Sequence, residues 1–145
     1  MTSPQSPLTN SGELQPNCVA TLPGHSDGVF SVAFHPTAPL LATGNVDKTA
    51  KLWRLSADNS SATCVADLPH KSYVYSVAFH PSAPLLATSS QDGTTKLWRL
   101  SADNSSATYV ATLEGHSDYV FSVAFHPTAP LLATGSIDKT AKLWR

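Results

Sequence analysis

Residues 116–145 read HSDYVFSVAFHPTAPLLATGSIDKTAKLWR, and residues 25–54 read HSDGVFSVAFHPTAPLLATGNVDKTAKLWR. The two stretches agree at 27 of 30 positions, differing at Gly28/Tyr119, Asn45/Ser136 and Val46/Ile137. A third copy, His70 to Arg99, matches the first at 20 of 30 positions, and the connectors Leu55–Ala66 and Leu100–Ala111 agree at 11 of 12. The unit therefore repeats every 45 to 46 residues, and a fixed period of this length decides the fold before any single residue does. Identity this high points to recent duplication or to design.

Each unit carries four short strand signals separated by turn chemistry. VFSVAF (29–34) is rich in β-branched and aromatic residues and is stopped by His35-Pro36-Thr37-Ala38-Pro39. LLATG (40–44) follows, then a turn over Asn45–Lys48, then TAKLWRL (49–55). A polar loop, Ser56–Ser61, leads to TCVADL (63–68). No segment sustains a helical period. Four antiparallel strands per unit at this repeat length predict an all-β chain of three four-stranded propeller blades. One blade cannot cover both faces of its own sheet, so blades must stack. The predicted organisation is a flexible segment over 1–16 and blades over 17–145, in repeats of about 18–55, 63–100 and 108–145.

The totals narrow the function classes. Net charge is −1 with 13% charged residues, too weak a field to draw the chain to nucleic acid or to a membrane surface. Six of the nine basic residues fall in a recurring Lys-x-x-Arg (Lys51/Arg54, Lys96/Arg99, Lys142/Arg145), a repeat feature rather than a phosphate-binding patch. Long apolar runs and a secretory leader are both missing, so a cytoplasmic location is expected. Cys18 and Cys64 align with Tyr109, and a position that accepts Cys or Tyr reads as a packing site. Two cysteines make neither a disulfide framework nor a metal cage.

The unit resembles the WD repeat. Gly24-His25 and Gly115-His116 stand before the first strand, an Asp stands in the turn between the second and third strands, and a Trp lies late in the third. The middle copy reads Pro69-His70, one residue shorter after Leu68, and Trp53-Arg54, Trp98-Arg99 and Trp144-Arg145 stand where the family has Trp-Asp. In every copy His precedes Asp by 22 residues and Trp by 28, with a Thr four before the Asp. The resemblance implies that His25/Thr43/Asp47/Trp53, His70/Thr88/Asp92/Trp98 and His116/Thr134/Asp138/Trp144 form chains from indole to hydroxyl to imidazole to carboxylate.

Physical chemistry asks for the same partners independently. A half-buried indole N–H, hydroxyl and imidazole each need one, and unmet groups cost about 1–3 kcal/mol apiece. These twelve residues also resemble a His-Asp-Thr catalytic set. Their threefold occurrence, each time with a Trp at fixed spacing, favours blade fasteners, so no catalytic residue and no enzyme activity are expected. His35, His80 and His126 precede Pro at the end of the first strand, one per blade. Spread in that way they suit turns rather than one metal ion, and neither metal nor cofactor is expected.

If the family pattern holds, each repeat begins with the outermost strand of the preceding blade, here residues 18–22, and the third blade ends without one. An open stack of three blades leaves bare faces and a strand edge, which invite pairing with another chain. Two copies joined head to tail would close a six-bladed ring, each lending residues 18–22 to the other's third blade; the alternative is a piece of a longer array.

Fasteners repeat, whereas binding residues should differ between copies. The differing positions are Gly28/Tyr73/Tyr119, Phe30/Tyr75/Phe121 and Val46/Gln91/Ile137, on the face where the resemblance places partner contacts. Phe30, Tyr73, Tyr75, Gln91, Tyr119 and Phe121 are accordingly the expected partner-binding residues, since aromatic anchors contribute large area at low entropy cost. The opposing reading is that Phe30, Tyr75 and Phe121 pack between blades. The expected function is a scaffold binding other proteins or peptides; the alternative is a self-assembling module whose main partner is its own copy.

Overall fold

A computed structural model describes residues 16–145; the flexible lead-in expected over 1–16 lies, apart from Pro16, outside the described residues. The chain folds as eleven strands in three antiparallel sheets without a helix among the described residues. The first sheet holds β1 (Val29–Phe34), β2 (Leu40–Asn45), β3 (Thr49–Leu55) and β4 (Ala62–Pro69). The second holds β5 (Val74–Phe79), β6 (Leu85–Ser90), β7 (Thr95–Leu100) and β8 (Ala107–Leu113). The third has β9 (Val120–Phe125), β10 (Leu132–Ser136) and β11 (Ala141–Trp144). Strands pair in chain order within each sheet, as short connections favour.

Turn chemistry sets these boundaries. Between β2 and β3 the backbone takes positive φ at Lys48 (69°), and the equivalent residues are Gly93 (86°) and Lys139 (73°). Asp47 holds that turn by accepting from the Thr49 N–H (3.0 Å) and hydroxyl (2.5 Å). In the polar loop before β4, Asp58 accepts from the Ser60 and Ser56 side chains and the Ser60 N–H. These bonds, the Ser60 hydroxyl first, hold its carboxyl down to about 2. Asp103 repeats the arrangement with Ser105 and Ser101 and is likewise held at about 2.

The core lies between sheets rather than within one. Ala42, Ala50, Leu52 and Leu68 of the first blade pack with Val74, Val77, Leu86, Trp98 and Leu100 of the second. A smaller cluster joins Ala87 and Leu97 of the second blade to Val123, Leu132, Phe125 and Trp144 of the third. Each of the two junctions thus joins the trailing face of one blade to the leading face of the next.

Two expectations need correction. Residues 18–22 form no strand; the third sheet has three strands, as expected of a blade that ends without its outer one. A strand exists through its ladder partner; the outer place beside β3 is filled by β4, and β11 sits in the sheet at the other end of the stack. Cys18, Cys64 and Tyr109 are exposed rather than packed, although the Tyr109 ring rests edge-on against Trp98 at 6.1 Å. The outermost strand lies at the rim of its blade, so that the neighbours Tyr109 and Val110, on opposite sides of it, both meet solvent.

Candidate functional site

Behind the candidate face, the expected chains are hydrogen-bonded end to end in the first and third blades. Trp53 Nε1–H donates to Thr43 Oγ1 at 3.0 Å, His25 Nε2 meets the same hydroxyl at 2.5 Å, and His25 Nδ1 meets Asp47 Oδ2 at 3.0 Å. In the third blade the distances are 2.8 Å for Trp144 to Thr134, 2.7 Å for Thr134 to His116 and 2.8 Å for His116 to Asp138. The acceptor-only carboxylate takes the Nδ1–H, which leaves Nε2 of the neutral ring to accept from the threonine hydroxyl, whose oxygen in turn accepts from the donor-only indole. Burial works to raise the Asp47 carboxyl, but the Thr49 hydroxyl, His25 and two backbone N–H groups outweigh it and hold it below its usual value. The Thr140 hydroxyl, His116 and backbone N–H groups do the same for Asp138.

The middle blade differs. Trp98 donates to Thr88 (2.9 Å) and Thr88 meets His70 Nε2 (2.6 Å), but His70 Nδ1–H donates to the Leu68 carbonyl at 3.0 Å. Asp92, the expected fourth member, instead accepts from the N–H and hydroxyl of Thr94. The missing residue before His70 is the cause. Gly24 and Gly115 reach their histidines at φ 150° and 155°, and a Cβ on Gly24 would stand 2.9 Å from the Trp53 ring. Pro69 cannot reproduce that path, since its ring holds φ near −65°. His70 is buried, and burial pushes its imidazole down to about 4. It is neutral at neutral pH, matched to a neutral carbonyl.

Five of the six expected partner-binding residues lie together at the start of the first strands, and Gln91 stands beside them in the turn after β6. Phe30, Tyr75 and Phe121 form a ladder across the blades, with ring centroids 5.0 Å and 4.6 Å apart. Tyr73 stands at 6.4 Å from Tyr75, and Tyr119 at 6.1 Å from Tyr75 and 6.2 Å from Phe121. Phe30 and Phe121 are about half exposed, so the ladder both packs between blades and meets solvent. Burial, then the neighbouring Tyr119 and Tyr73, raises the Tyr75 hydroxyl above its ordinary value. The differing positions are directly joined: Val46 N–H donates to the Gly28 carbonyl (3.0 Å), Gln91 to Tyr73 (2.9 Å) and Ile137 to Tyr119 (3.0 Å). Gln91 Oε1 also accepts from the Ser72 hydroxyl at 2.5 Å.

Other residues bridge the blades, a role that the sequence reading assigns to none of them. Ser31 Oγ accepts from the Val77 N–H of the next blade at 3.2 Å, and Ser76 Oγ from the Val123 N–H at 3.4 Å. His35 and His80 accept two turn N–H groups each through Nδ1 and set their rings edge-on against the next blade's Phe79 (5.2 Å) and Phe125 (5.0 Å). His126 makes the same turn bonds. Their signal was present as invariance between copies, but invariance does not distinguish a contact within a blade from one between blades. Among the described residues no group of three or more His, Cys, Asp or Glu could hold a metal ion, and no helix is long and apolar enough to cross a membrane.

Comparison with known proteins agrees with this geometry. The family model described as "WD domain, G-beta repeat" matches residues 16–54, 62–99 and 107–145. The chain is 36% identical over 58 residues to the human F-box-like/WD repeat-containing protein TBL1Y, covering 40% of this chain and 11% of that protein. It is 53% identical over 36 residues to coatomer subunit alpha of Saccharomyces cerevisiae (25% and 3%). To Protein Notchless of Drosophila melanogaster it is 38% identical over 47 residues (32% and 10%). The matches thus span about a tenth or less of these relatives' length. With all three blades matched by one family model, the chain belongs to the WD domain, G-beta repeat family.

Proposed function

We propose that the chain is a protein-interaction scaffold that takes a peptide or protein segment along the aromatic edge formed by Phe30, Tyr73, Tyr75, Tyr119 and Phe121, with Gln91 beside it. WD repeats generally mediate protein–protein interaction or scaffolding. The observation that carries the reading here is the continuous, half-exposed aromatic ladder across three blades, next to the positions at which the blades differ. Aromatic rings in this state offer contact area without burying charge. The low charge density supports protein partners over nucleic acid or a membrane surface.

The test is selection of binding peptides from a displayed random library, followed by calorimetry with the doubly substituted Y73A/Y119A chain. Affinity should fall tenfold or more while the circular dichroism spectrum is kept; peptides that bind the variant unchanged would remove the site from this edge. A second reading, a structural module whose partner is its own copy, is favoured by the uncovered apolar side chains of Val32 and Leu143 at the two ends of the stack.

A further inference from the structure

The repeat supplies its own template for what should cover those ends. Val77 and Val123 are 4% and 6% exposed under the preceding blade, whereas their equivalent Val32 is 64% exposed. Phe34 is exposed, whereas Phe79 and Phe125 lie in contact with a preceding histidine. On the trailing side Leu52 is fully buried by the second blade, whereas its equivalent Leu143 is 72% exposed. Polar groups follow the same rule: Ser31 and Ser76 each take an N–H from the next blade, while Ser122 is exposed. What the first blade's leading face lacks is therefore what the third blade's trailing face presents.

The free edge of β11 is matched in the same way. Cys64 pairs with Trp53, Ala66 with Leu52 and Leu68 with Ala50; Tyr109 pairs with Trp98, Ala111 with Leu97 and Leu113 with Thr95. CVATL at 18–22 repeats CVADL at 64–68 and YVATL at 109–113. It has the side chains of an outer strand and no ladder partner in its own chain.

Resting on the self-association reading, we infer that the trailing face of the third blade receives the leading face of the first blade of a second copy, in the register that joins adjacent blades within one chain. Ser122 Oγ accepts from the partner copy's backbone at position 32, and the His126 ring meets position 34. Residues 18–22 become the fourth strand beside β11, with 18 opposite 144, 20 opposite 143 and 22 opposite 141. The contact occurs twice and closes a two-chain ring. Two apolar faces and two strand edges are then covered without any contact type that the chain does not already make internally, and no open end is left for a fibre to grow.

Light scattering during gel filtration should give twice 15.3 kDa, and V32D and L143D should each give single-chain mass. Oxidation of the S122C/V32C chain on a C18S/C64S background should yield a covalent dimer on a non-reducing gel, with S122C alone remaining single; this arm serves if V32D fails to fold. A single-chain mass for the unsubstituted protein would overturn both self-association and this register. A dimer that keeps its mass in V32D and L143D and does not cross-link would overturn the register alone. A ladder of higher oligomers would overturn closure.

Discussion

His70 Nδ1 lies 3.0 Å from the Leu68 carbonyl oxygen, so the middle blade ends its hydrogen-bonded chain on the backbone where its neighbours end theirs on Asp47 and Asp138. One deleted residue moves the acceptor from a charged side chain to a neutral peptide group. The alternatives are not equivalent in energy, because a hydrogen bond to a charged group contributes about 1.5–3 kcal/mol and one between neutral groups about 1 kcal/mol.

The aspartates should therefore differ in cost. D47A and D92A both lose the turn bonds to the residue two positions on, but only D47A also leaves the buried His25 Nδ1–H without its carboxylate. D47A should destabilise by about 1–3 kcal/mol more than D92A. Equal urea-unfolding free energies for the two variants would contradict this assignment of roles.

His70 should also give the protein a defined pH dependence. Its folded value of about 4 lies below the ordinary 6.5, so between those two pH values the unfolded chain binds a proton that the folded chain refuses. The stabilisation is complete above pH 6.5 and is lost as pH falls toward about 4, amounting to about 3 kcal/mol across the window. Urea unfolding at pH 7 and pH 4.5 should show the loss in the unsubstituted chain and a shallower one in H70Q.

Thr88 is fully buried and serves two groups at once, accepting from Trp98 Nε1–H and donating to His70 Nε2. T88V keeps the volume and leaves both groups unpaired, at about 1–3 kcal/mol each. T88S keeps the hydroxyl and should recover most of that loss. The comparison is made by thermal unfolding of the three proteins.

Gly24 and Gly28 should respond oppositely to added side chains. An alanine Cβ at Gly24 would meet the Trp53 ring at 2.9 Å on a backbone at φ 150°, costing about 1–3 kcal/mol. Gly28 has only a Val46 methyl at 4.0 Å, and Tyr occupies the equivalent position in both other blades. G24A should lower the unfolding midpoint clearly, and G28Y should leave stability within about 0.5 kcal/mol.

Ser89 Oγ is buried without a hydrogen-bond partner, where the other two blades carry Gly44 and Gly135. Removing that hydroxyl in S89A relieves an unpaired buried polar group. Stability should be unchanged or rise by up to about 1 kcal/mol; a clear loss would mean that the hydroxyl makes a bond of its own.

Strand spans and fasteners were readable because they depend on local information repeated three times. VFSVAF, LLATG and TAKLWRL alternate their side chains and are bounded by Pro, Asn and Asp turns, and they appear as β1, β2 and β3 with edges shifted by at most one residue. The indole-to-imidazole links of all three blades sit at the spacings that suggested them. Asp92 was misplaced because a His–Asp separation of 22 residues does not encode the backbone path by which His70 arrives. The exposure of Cys64 escaped for a related reason: residue identity at an aligned position does not say which side of an outer strand is covered.

By itself the sequence determined the repeated unit, its strand order and the donors and acceptors available in each blade, because side-chain alternation and turn chemistry act over a few residues. Only the tertiary structure decided that Val77 is buried while its twin Val32 is bare, that His70 donates to Leu68, and that residues 18–22 remain outside every sheet. Those outcomes depend on which blade stands next to which, and identical residues in different blades have different neighbours.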